Sequence, residues 1–241
     1  MTTTHAEYLP TSQDLLDAFS DEIATAGGTV SGTLDDGRRM IARAVLPVSS
    51  EIRIGDQVNA GVAIRAMSNE IVVHPYTLRR LCTNGAIVVE ALESQHFERV
   101  HAETTCSLSY EASMLLTQVR DAVRACATPD AFATIVSDMR LAASTDGQMA
   151  IQLLVQSKYF ADGAARVASH LKIIGRYRAG DDRSAFGVMN AVTSLARDSR
   201  DPELRWSLEQ LGGSVPALVR QRTGTPVREV IAEIAHDRAT S

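Results

Sequence analysis

Arg79 and Arg80 stand just ahead of Cys82 in the stretch Tyr76 to Glu90, YTLRRLCTNGAIVVE. Two guanidinium groups beside a thiol would lower its pKa, and His74, His96 or His101 could supply a base, which together would make a nucleophile. A cysteine inside an apolar, β-prone run more commonly serves as a small packed side chain, and that is the stronger reading of Cys82. The same histidines, with Cys82 or Cys106, fall into no CxxC or HExxH spacing, so no metal centre is expected. There is likewise no GxxxxGK[ST], GxGxxG or GxSxG, which removes the common phosphate loops and the serine-hydrolase elbow. The expectation is a binding protein without catalytic residues or cofactor.

Electrostatics offer the alternative chemistry. Lys158, Arg166, Lys172, Arg176, Arg178 and Arg183 outnumber Asp162, Asp181 and Asp182 in one window, with Tyr159 and Tyr177 interleaved. Cations with aromatics between them are what a groove for single-stranded nucleic acid needs, for phosphates and for base stacking. The expected contacts are Lys158, Arg166, Lys172, Arg176, Tyr177 and Arg178; a solvated helical face accounts for the charges equally well. Asn190 and Thr193, three apart on an expected helix, share a face that serves either a ligand or a polar lock in the interior.

Several elements must position these groups. Thr11 and Asp14 have capping-box spacing ahead of Leu15, Phe19 and Ile23, a helix stopped by Gly27-Gly28. β-Prone segments flank Asp35-Asp36-Gly37, a hairpin turn. Further strands are expected near Ile52 and Ile54, over VNAGVAIRAM, over EIVVH, and on both sides of Asn84-Gly85, the pair best able to take positive φ; a last strand lies between Glu93 and Cys106. Helices then follow: Ser107 to Ala127, one opened by Thr128-Pro129, Met149 to Ser157, Ala164 to Ile174, one capped by Ser184, and one opened by Asp201-Pro202 and ended by Gly212-Gly213. Thr225-Pro226 opens a final helix whose Val227, Val230, Ile231 and Ile234 form a seam for the body or for a second copy. Strands first and helices after indicate an α+β protein. An antiparallel meander sheet in the N-terminal half, covered by helices on one face, precedes a helical C-terminal half. A boundary would divide 1–127 from 128–241, unless both form one cooperative domain.

The 241 residues, 45% hydrophobic, suffice for a substantial core, and a formal charge of −5 argues against coating duplex DNA or an anionic membrane by bulk charge. Three cysteines without a pairable pattern, no leader-like N-terminus and no apolar run of spanning length point to a cytoplasmic protein with no membrane partner.

Two separated segments, LRRLCTNGAI and FERVHAE, resemble the phage/plasmid-like family known as domain of unknown function 932. Arg79, Cys82, Thr83, Asn84 and Gly85 match the family's Arg and Cys-Thr-Asn-Gly element, and Arg99 and His101 resemble its later Arg-His element with one residue inserted. Phe186, Gly187, Asn190, Ala191 and Thr193 match its aromatic-Gly-x-x-Asn-Ala-Val-Thr helix. These elements run in the family's order from about Val58 to Asp198, whereas Ser68-Asn69-Glu70-Ile71 lacks the glycine of the family's inter-strand turn. The resemblance implies a mobile-element protein from the neighbourhood of replication and recombination genes and supplies no catalytic residues. Single-stranded DNA and further copies of the chain are the expected partners; the alternative is a protein-binding scaffold or regulatory module.

Overall fold

The N-terminal cap forms as the spacing requires. In this computed structural model, which describes residues 10–68, 70–81, 83–89, 95–98, 108–156 and 164–224, the Thr11 hydroxyl accepts from the Asp14 amide while the Asp14 carboxylate accepts from the Thr11 amide. Helix α1 (Ser12–Thr25) follows, and Gly27 at φ 72° turns the chain out of it.

Six strands build one antiparallel sheet: β1 (Thr29–Asp35), β2 (Arg39–Arg53), β3 (Asp56–Met67), β4 (Glu70–Arg79), β5 (Asn84–Ile87) and β6 (Gln95–Glu98). The first five lie in chain order, and β6 pairs with β4 on the same edge as β5, Ile71 opposite Phe97 and Tyr76 opposite Ile87. The Asp-Gly hairpin joins β1 to β2, with the Asp35 and Asp36 side chains accepting amides of the turn. Ile52 and Ile54 do not mark a separate strand. β2 continues through Ile52 to Arg53, and Ile54 is the fully exposed tip of the next hairpin beside Gly55 at φ 79°.

The Asn84-Gly85 pair also departs from expectation. Positive φ falls on Thr83, at 50°, while Asn84 and Gly85 are buried residues of β5. Gly85 is required for another reason, since a Cβ there would sit 1.9 Å from the Tyr76 hydroxyl. Thr83 takes the strained conformation immediately before Asn84, which the ladder pairs with Arg79.

Six helices follow: α2 (Leu108–Cys126), α3 (Pro129–Ser144), α4 (Gly147–Gln156), α5 (Ala164–Ala179), α6 (Ala185–Asp198) and α7 (Pro202–Thr223). Thr128, Ser184 and Asp201 cap α3, α6 and α7 through their side chains. α5 extends beyond Ile174, and α7 does not stop at Gly212-Gly213 but continues to a left-handed C-cap at Gly224. The two glycines are contact points. A Cβ on Gly213 would lie 2.0 Å from the Ile87 carbonyl oxygen, and one on Gly212 would lie 2.4 Å from Thr193 Cγ2, so α7 rests directly on β5 and α6. The expected seam at Val227, Val230, Ile231 and Ile234 lies outside the described residues.

Strand alternation separates two faces. Met40, Ala42, Ala44, Val62, Ile64, Ile71 and Val73 point to the main core, which is shared with Leu15 and Phe19 of α1, Val119 of α2, Met139 of α3, Val192 of α6 and Val215 of α7. That core draws on both sides of the 127/128 boundary. Helices cover more than the one expected face. Ile41, Ala63, Val72, Tyr76 and Ile87 on the opposite face pack around Trp206 of α7, which is fully buried. Composition concealed this second layer because its strand positions alternate apolar side chains with Arg43, Arg65 and His74.

Candidate functional site

The second face carries charge into a nearly dry layer. Arg43 and Arg65 lie over the Trp206 ring at 5.6 and 5.4 Å, so two guanidinium groups make cation–π contacts with the indole. Glu209, whose side chain is 1% exposed, accepts from Arg43 Nε at 2.8 Å through one oxygen and from Arg205 Nε at 3.0 Å through the other. Arg65 pairs with Glu203 and Glu70. The Asp201 cap and Pro202 at the first helical position set the start of α7, and the i, i+4 spacing then puts Arg205 and Glu209 on one face. His74 lies beside Trp206, with ring centroids 6.3 Å apart, and burial, then the charges of Arg65 and His96, lower its pKa to about 4.

Next to this layer a cleft of about 480 Å³ opens between β1, the ends of β2 and β4, Thr83 of the β4–β5 turn, and the α6–α7 connection. Its cations are Arg43, Arg197, Arg200 and Arg205. Arg200 is exposed and makes no ion pair or hydrogen bond with any described residue. Tyr76 lies on the sheet side of the cleft, 3% exposed, and burial followed by the Glu209 charge raises its pKa, so the phenol stays protonated. A second cleft, of about 530 Å³, lies between α5, α6 and α7; Lys172 and Arg176 line it with Leu195, Leu204 and Leu208. Ser199 lines both clefts and forms the ridge between them. Along this path five arginines and one lysine face two carboxylates, Glu209 and Asp198.

The residues singled out from sequence are divided by the fold. Lys172 and Arg176, one turn apart, reach the second cleft, where Arg176 donates to Asp198 at 2.8 Å and to Ser194 at 3.2 Å. Arg178 is exposed away from it. Tyr177 is 4% exposed, its hydroxyl donating to the Arg183 carbonyl at 2.7 Å and its ring packing over Gly147. It holds the end of α5 against the start of α4 and presents no face to a base. Lys158 lies outside the described residues, as does the side chain of Arg166 on α5.

Among the motif residues, Arg79 donates to both oxygens of buried Asp56 at 2.7 Å and lies 5.7 Å over Phe186, which joins the sheet to α6. Thr83 reaches the first cleft. Asn84 is buried, with its side-chain oxygen unpartnered. Thr193 turns inward, donates to the Met189 carbonyl of its own helix and packs against Gly212 of α7, while Asn190 is half-buried with its side-chain nitrogen unpartnered. Cys82, Arg99 and His101 lie outside the described residues. No cluster of metal-ligating side chains occurs among the described residues, and no helix there is long and apolar enough to cross a membrane.

Arg197, Arg200 and Arg205 escaped the sequence reading because acids accompany them, and Arg43 because it lies in a strand far from them along the chain. The run SLARDSRDPELRW alternates arginine with Asp198, Asp201 and Glu203, so its net charge conceals it, and only the fold turns the arginines to one side. The available signal was three arginines within nine residues at a capped helix start. No protein-family model matches the chain, nor does any curated protein or solved structure. The family resemblance therefore rests on its motif residues alone.

Proposed function

We propose that this protein binds single-stranded nucleic acid, as a non-enzymatic mobile-element protein of DNA metabolism, along the path from the Arg43–Arg205 cleft over Ser199 to the Lys172–Arg176 cleft. The observation that carries this reading is the convergence of cations from β2, α5, α6 and α7 on two adjoining clefts of an acidic chain. A local positive trough on a negative molecule attracts a polyanion to one place and repels it elsewhere. Tyr76 is the sole aromatic among the described lining residues, so phosphate contacts dominate over stacking. Binding is then sequence-tolerant and strongly salt-dependent.

The deciding experiment is fluorescence anisotropy at low salt with a labelled oligo(dT) of about ten nucleotides, the span of one single-strand site. Saturable binding that weakens in a Lys172→Ala/Arg200→Ala variant of unchanged melting temperature supports the reading. Absence of binding by the folded wild-type protein at low salt, where electrostatic attraction is least screened, removes it and brings the scaffold reading forward.

A further inference from the structure

The first cleft has one wall that differs from a simple basic trough. Tyr76 is almost wholly buried, lines the cleft, and has no hydrogen-bond partner among the described residues. Its hydroxyl is not one of the fully buried polar atoms without a partner, so it keeps some access to solvent. A protonated phenol left over on a cleft wall is a donor waiting for an acceptor that arrives with a ligand. The neighbouring donors are of the same kind. Arg43 and Arg205 are held from behind by Glu209, one on each carboxylate oxygen, so their orientation is set before anything binds. Arg200 stands opposite on the α6–α7 connection with no pairing of its own.

The shape narrows the ligand further. Ile41, Tyr76 and Leu78 line the cleft on the sheet side, and Ser199 lines both this cleft and the second one. A volume of about 480 Å³ suits one small ligand and not a run of nucleotides. A chain entering over Ser199 can place its end among these arginines. A phosphodiester offers two non-bridging oxygens and continues on both sides. A phosphate monoester offers three, carries close to two negative charges at neutral pH, and continues on one side only.

Building on the single-strand reading above, we infer that the cleft floored by Tyr76 and walled by Arg43, Arg200 and Arg205 takes a phosphate monoester, the terminal phosphate of a strand or of a free mononucleotide. Tyr76 and Arg43 donate to it from the sheet, Arg200 and Arg205 from the loop side. The strand behind it then lies across Ser199 toward Lys172 and Arg176, which gives the path an end.

The test compares oligo(dT) of one length carrying a 5′-phosphate, a 3′-phosphate or neither, with thymidine monophosphate and inorganic phosphate as competitors. At least a several-fold preference for one phosphorylated end, reduced by Tyr76→Phe and by Arg200→Ala, supports the inference. Competition by the mononucleotide, or its direct binding when no oligonucleotide binds, also supports it, and in the second case the single-strand reading fails by itself. Equal affinity for all three oligonucleotides overturns the monoester site and leaves the single-strand reading standing. Absence of binding by every probe overturns both.

Discussion

Gly213→Ala and Gly175→Ala make the same chemical change in two helices and should move stability in opposite directions. In an exposed helix interior, replacing glycine with alanine gains about 0.8–1 kcal/mol through backbone entropy. Gly175 of α5 is exposed with open space where its Cβ would go, so the full gain applies and the melting temperature should rise by about 2–4 °C for a chain of this size. At Gly213 the new Cβ would meet Ile87 O at 2.0 Å, Ile87 C at 2.6 Å and Ile87 N at 3.2 Å, all backbone atoms of a strand paired to β4. Ordinary contact lies near 3.5 Å, so α7 must back away from β5 by more than an ångström, which loosens Trp206 on one side and Val215 on the other. Overpacking of that kind costs about 1–3 kcal/mol. With backbone atoms unable to move aside, the upper end is expected, and the propensity gain leaves a net loss of about 2 kcal/mol, or roughly 4–8 °C. Scanning calorimetry on both variants reads the result. A Gly213→Ala protein as stable as the wild type, or more so, would refute the direct seating of α7 on β5.

Two other outcomes follow from buried polar groups. His74 has a folded-state pKa of about 4 against an ordinary value of 6.5 for a solvated imidazole, so between those values the unfolded chain binds more protons and stability falls as the pH drops from 6.5 toward 4, by up to about 3 kcal/mol. His74→Gln should flatten that stretch of a stability-against-pH curve measured by urea titration; an unaltered slope contradicts the burial of a neutral imidazole. Tyr177→Phe should lower stability by about 1 kcal/mol through loss of the hydrogen bond to the Arg183 carbonyl, with no change in oligonucleotide affinity. A loss of affinity without a loss of stability would return Tyr177 to the binding surface.

Much of the fold was readable where local chemistry is unambiguous. The Thr11/Asp14 box, the Asp-Gly hairpin and the caps at Thr128, Ser184 and Asp201 depend on contacts within four residues. What escaped depends on partners far along the chain. Glycines at 85, 212 and 213 look like turn or stop residues in sequence, whereas their role is to admit Tyr76, Thr193 and Ile87. Tyr177 sits among cations in sequence and inside the protein in space, because a helical step of about 100° per residue turns it inward from both Arg176 and Arg178. Of the four expected contacts whose side chains are described, Lys172 and Arg176 face a cleft, whereas Tyr177 and Arg178 do not. Arg197, Arg200 and Arg205 were unreadable because Asp198, Asp201 and Glu203 balance them on paper, and only the fold brings them to one cleft with Arg43.

The central claim is that the cleft arginines meet phosphates, and the salt dependence of single-strand binding tests it most directly. Affinity for oligo(dT) should fall linearly in a log-log plot against salt, and Arg200→Ala, which breaks no hydrogen bond or ion pair among the described residues, should make the slope shallower by about 0.7 for the one phosphate contact it removes. An identical slope in a variant of unchanged stability would contradict the account, because a cation that faces the ligand cannot be removed without changing the number of counterions released.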